Sequence, residues 1–176
     1  MLKVMLPSTL AHPLFFPKNL IFVPIEESKQ SFRPLDPLFY YELMEKTGNF
    51  DTYPWNEREK FVPKLVHLWN ERLQVLSQMY HERQKGTERL MIESIALFFM
   101  MIFWSNGRPV CLNQWELALK DCSLTPVNVV ERLTFIVNRP FLYHSFIQLQ
   151  ELFQEQQKQL AKALALNKKK SLSVEN

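Results

Sequence analysis

The chain has 176 residues, 47% of them apolar and 22% charged, and a formal net charge of +3. This suits one globular domain with a substantial core, and it excludes low-complexity and collagen-like chains. Two cysteines with no C-x-x-C spacing do not imply a disulfide framework, and so mild a charge does not by itself call for nucleic acid.

Prolines 7, 13, 17, 24 and 34 crowd the first residues and forbid a helix there. Residues 1–33 are therefore expected to form an irregular arm, with an extended piece at Leu20–Val23. Its Phe15, Phe16, Ile21 and Phe22 predict that it docks on the body. No leader peptide is expected, because the prolines break the apolar stretch and no A-x-A site follows it.

The helical domain is expected over residues 34–166. Asp36-Pro37 reads as a cap followed by proline at the first helical position, with Gly48 as the stop. Asn56 can cap a second helix reaching about residue 84, and Pro63 lies near its start. Val62, Leu65, Val66, Trp69, Leu73, Leu76 and Tyr80 give it one apolar face. Gly86 reads as its stop and Thr87 as the next cap.

The third helix, Glu88–Ser105, is apolar nearly all round, with ten unbroken apolar residues from Ile95. A bilayer span needs about 20, so this is a core helix rather than a membrane span. Asn106-Gly107-Arg108-Pro109 stops it. Asn113 can cap a short fourth helix. Asn128 and Glu131 have capping-box spacing at the start of a fifth, which Arg139-Pro140 ends. A last helix follows, with Tyr143, Phe146, Leu149, Leu152, Phe153 and Leu160 on its apolar side. Residues 167–176 read as a disordered basic tail. The expected fold is thus all-α, a single-domain bundle of about five to six helices around a central apolar helix.

Chemistry is sparse. Three isolated glycines cannot build a phosphate loop. His12, His67, His81 and His144 have no metal-ligand spacing, and no serine or cysteine has a nucleophile's setting. No catalytic residue, metal or cofactor is assigned. Glu93, in the most apolar helix, is either a buried acid with a raised pKa or one half of a structural ion pair with Arg132 or Arg108. Arg108, Arg132 and Arg139 lie near helix ends. If they converge they form a cationic patch able to take phosphate; otherwise they pair with Glu131, Glu93 or Asp121. Asn106, Asn128 and Glu131 read as structural polar residues, and Lys168, Lys169 and Lys170 as a solvated end or a weak anion-binding tail.

Three stretches carry a resemblance: Phe103-Trp104-Ser105-Asn106-Gly107-Arg108-Pro109-Val110, then Pro126-Val127-Asn128-Val129-Val130-Glu131-Arg132-Leu133, then Arg139-Pro140-Phe141-Leu142-Tyr143 followed by Gln148-Leu149-Gln150-Glu151-Leu152-Phe153. In combination they resemble the YpoC-like family of small proteins from bacilli and their relatives, over roughly residues 60–165. The resemblance implies a cytoplasmic bacterial protein with no assigned activity. It also implies genes lying near those for a primosome component and a base-excision endonuclease, a contextual pointer to DNA replication or repair. The leading expectation is a non-enzymatic module that binds a protein partner. The alternatives are an accessory nucleic-acid binder using the arginines and tail lysines, and an enzyme centred on Glu93. No oligomeric state is indicated.

Overall fold

The computed structural model describes residues 2–18, 20–23, 32–45, 48 and 50–174. The chain forms a helical bundle with a small antiparallel ribbon at its start. The ribbon pairs β1, Leu2–Met5, with β2, Leu20–Val23, in the register Lys3 to Phe22 and Val4 to Ile21. The helices are α1, Tyr40–Met44; α2, Arg58–His81; α3, Glu88–Ser105; α4, Trp115–Lys120; α5, Val129–Asn138; and α6, Tyr143–Val174.

α3 is the axis. Every residue from Ser94 to Ser105 is buried, so the helix is covered on all sides. The rings of Trp69 on α2 and Phe153 on α6 stack parallel at 4.1 Å, and Phe98 of α3 meets Phe153 edge-on at 5.1 Å. Tyr80 on α2 stacks on Phe146 of α6, which makes α2 and α6 antiparallel. The arm covers another side: Phe15 is buried with its ring edge against Phe39 and Phe99. The carbonyl of Thr9 accepts from the N–H groups of Leu112 and Asn113, which lays the arm on the stretch after α3.

Gly107 closes α3 as expected. It adopts φ +69°, and Arg108 N–H reaches back to the carbonyl of Phe103 at 3.1 Å, a bond that needs the left-handed residue in between.

Several expected boundaries differ. Asp36-Pro37 does not open a helix. Its peptide bond is cis, Leu35 bridges Leu38 across the turn, and α1 starts only at Tyr40 after a left-handed, fully buried Phe39. Asn56 belongs to a 3₁₀ turn, Pro54–Asn56, so α2 begins after Glu57 and runs through Pro63 unbroken. α2 ends at His81 rather than near residue 84. A left-handed Arg83 turns the chain there, with Gln84 N–H bonded to the carbonyl of Met79 at 2.8 Å. Gln114 rather than Asn113 precedes α4. Asn128 precedes α5, but it is left-handed and its side chain makes no capping bond, so there is no capping box with Glu131. Residues 167–174 are not an irregular tail: α6 carries Lys168, Lys169 and Lys170 on its last turns. Lysine, alanine and leucine are good helix formers, so a solvated helix continues where core patterning stops. Residues 24–31, part of the expected arm, and 175–176 of the expected tail lie outside the described residues.

Candidate functional site

The three arginines contact different groups. Arg132 Nη1 lies 2.8 Å from Glu155 and its Nη2 3.4 Å from Glu151, while its Nε donates to Gln148 at 3.1 Å. These bonds tie α5 to α6. Arg108 faces Asp121 at 3.7 Å, an exposed and loose pair. Arg139 is exposed and lies across the ring of Phe135 at 5.9 Å. Each arginine therefore has its own partner.

Glu93 is paired too, but by residues the sequence did not single out. Arg72 of α2 reaches it at 2.8 Å and Arg89, one turn back on α3, at 2.9 Å. Asn106 clamps the end of α3: its amide donates to the carbonyls of Ile102 and Leu124, and its oxygen accepts from Leu124 N–H. The wholly buried Gln156 donates to that same Leu124 carbonyl from α6.

Among the described residues, the buried acid is Glu42, in α1. Its Oε1 accepts from Trp104 Nε1 at 2.7 Å and from Val110 N–H at 3.3 Å, and its Oε2 has no hydrogen-bond partner among the described residues. Burial pushes its pKa up to about 7, opposed by the Trp104 and Val110 donors. The sequence signal was an acid inside an aromatic and apolar run, Phe39-Tyr40-Tyr41-Glu42-Leu43-Met44.

The second feature missed is on the surface. Phe141, Leu142 and Tyr143, at the turn between α5 and α6, are 45%, 46% and 58% exposed. Tyr143 is thus not on the buried side of the last helix, where apolar periodicity had put it. It borders a cleft of about 280 Å³ whose lining includes Tyr80, His81, Phe146 and Gln150. The Tyr80 and Tyr143 rings meet edge-on at 5.3 Å across it. His144 and Arg139 approach the Phe135 ring beside this corner.

Among the described residues no group of three or more His, Cys, Asp or Glu is placed to hold a metal ion. Among them, too, no helix is long and apolar enough to cross a membrane.

Residues 59–168 match the model of the YpoC-like protein family. Among curated proteins, the chain is 31% identical over 135 residues to the uncharacterized protein YpoC of Bacillus subtilis (strain 168), covering 76% of this chain and 80% of that one. No solved structure matches it. The family match covers well over half of the chain and takes in most of α2 and the core rod α3, so the chain belongs to the YpoC-like family.

Proposed function

We propose that this chain is a non-enzymatic protein-interaction module whose docking surface is the aromatic corner between α5 and α6. The observation that supports it is the succession Phe141, Leu142, Tyr143, each about half exposed, the last of them lining a cleft with Tyr80 and Phe146. Scattered exposed apolar residues need no explanation, whereas three in a row mark a surface that gains by being covered. Tyrosine and arginine are favoured anchors at such surfaces, and Tyr143 and Arg139 are both exposed here. Arg139 and His144 are exposed next to this turn in the chain and His81 lines the cleft, so the fitting partner is a polypeptide segment with an apolar side chain to cover Phe141 and Leu142 and an acidic residue for Arg139.

A photo-cross-linker in place of Tyr143 tests this in native cells. A discrete protein adduct that is lost in the Phe141→Ser variant supports the reading, provided thermal melting shows that variant folded. Absence of any adduct, or one that survives Phe141→Ser, defeats it.

The nucleic-acid reading has less support. Arg132 is engaged by Glu151 and Glu155, and Arg108 faces Asp121. Carboxylates already at bonding distance compete with phosphate for the same guanidinium donors.

A further inference from the structure

Glu42 joins two parts of the molecule that are far apart in sequence, α1 and the end of α3 with the stretch just beyond it. It stands on α1, takes its shortest bond from Trp104 at the end of α3, and takes a second from Val110 just beyond. The stretch after Val110 in turn bonds the arm through Thr9. Both bonds to Glu42 from Trp104 and Val110 fall on one oxygen, and the other oxygen is buried without a partner among the described residues. Among the described residues, the groups acting on the carboxyl are the indole N–H of Trp104, the backbone N–H groups of Glu42 itself and of Val110 and, along α1, the like-charged Glu45. Tyr41, next to it, feels both Glu42 and Arg33, and the Arg33 guanidinium lies over the Tyr40 ring. Among the described residues, none of the groups acting on Glu42 itself is a cation.

A carboxylate in this position would keep a full charge in an apolar setting with only neutral N–H donors to offset it. A neutral carboxyl keeps both accepted bonds and loses that cost. We propose that Glu42 is a proton-operated clasp, which holds α1 and the Val110 stretch against the end of α3 when neutral and loosens that closure when it ionises.

The sign follows from linkage. In the closed state the group titrates near 7, against 4.5 when exposed. Between these two values the closed form keeps a proton that the open form has lost. The stabilisation is therefore complete below about 4.5, weakens as pH rises, and is gone once pH passes about 7. Across that window the opening equilibrium grows on the order of a hundredfold, then levels off. Opening bares Tyr41 and Trp104, whose rings now meet edge-on at 6.0 Å.

Amide hydrogen exchange of the full chain, corrected for intrinsic rates, tests this between pH 5 and 8.5. In the native protein, opening of α1 and Val110 should rise with pH and level off above about 7. In Glu42→Gln, a neutral near-isostere, it should be flat. Trp104→Phe removes the strongest donor to the charged form and should move the plateau to higher pH, which provides a second reading if Glu42→Gln fails to fold. Opening independent of pH below 7 in the native protein, a slope retained in Glu42→Gln, or an unmoved plateau in Trp104→Phe overturns the proposal.

Discussion

Arg72 Nη2 lies 2.8 Å from Glu93 Oε2 and welds the middle of α2 to the first turns of α3. Both side chains are mostly covered, whereas the second cation on Glu93, Arg89, is almost fully exposed. Arg72→Ala should therefore cost about 2–3 kcal/mol, because it strands a largely desolvated carboxylate. Replacing both partners, as Arg72→Met with Glu93→Leu, should return stability to within about 1 kcal/mol of the parent. Urea denaturation of the two variants checks this; a double variant as unstable as Arg72→Ala would show that the pair is more than a structural weld.

The three arginines should separate by environment. Arg132→Ala removes bonds to Glu155, Glu151 and Gln148 from a mostly covered side chain and should cost about 2 kcal/mol. Arg108→Ala loses one exposed pair and should change stability by no more than about 0.5 kcal/mol. Equal losses in chemical denaturation would contradict the assignment of Arg132 as the α5–α6 tie.

Asn106 offers a sharper test of hydrogen bonding. Asn106→Ala should cost about 2 kcal/mol, since Leu124 N–H loses its acceptor and the carbonyl of Ile102 its donor. Asn106→Asp keeps an acceptor for Leu124 but loses the amide donor and sets a negative charge at the C-terminal end of α3. It should be no more stable than Asn106→Ala. An aspartate variant that melts like the parent would sink this account of the clamp.

For the arm, Phe15→Ala is the informative change. The ring is buried against Phe39 and Phe99, so its loss should cost about 3 kcal/mol. Calorimetry giving a change below about 0.5 kcal/mol, the size expected of a surface site, would mean the arm contributes nothing to the core.

The central helix was legible in the sequence because its pattern admits one solution. Ten apolar residues between Glu93 and Asn106-Gly107 can only be enclosed, and the neighbouring helices supply matching faces. The turn at Asp36-Pro37 was not legible, since proline after aspartate fits a helix start and a cis turn equally well locally. The turn is fixed by packing, with Phe39 buried in a left-handed conformation that no local propensity favours. The spacing of Asn128 and Glu131 misled for a similar reason: it permits a cap without requiring one. Glu42 was hidden because the groups that bury it lie 62 and 68 residues further along the chain. Tyr143 was misplaced because periodicity says which residues can share a face, not how far the neighbouring helices reach over it.

The matched family stretch starts at residue 59, yet the rod it contains is roofed partly by Phe15, Phe39 and Tyr41 from upstream. A recombinant fragment cut at that border would carry a bare oily flank along α3. Such a truncation should clump in a concentration-dependent way, and crystallisation or labelling work is better served by keeping the upstream residues attached.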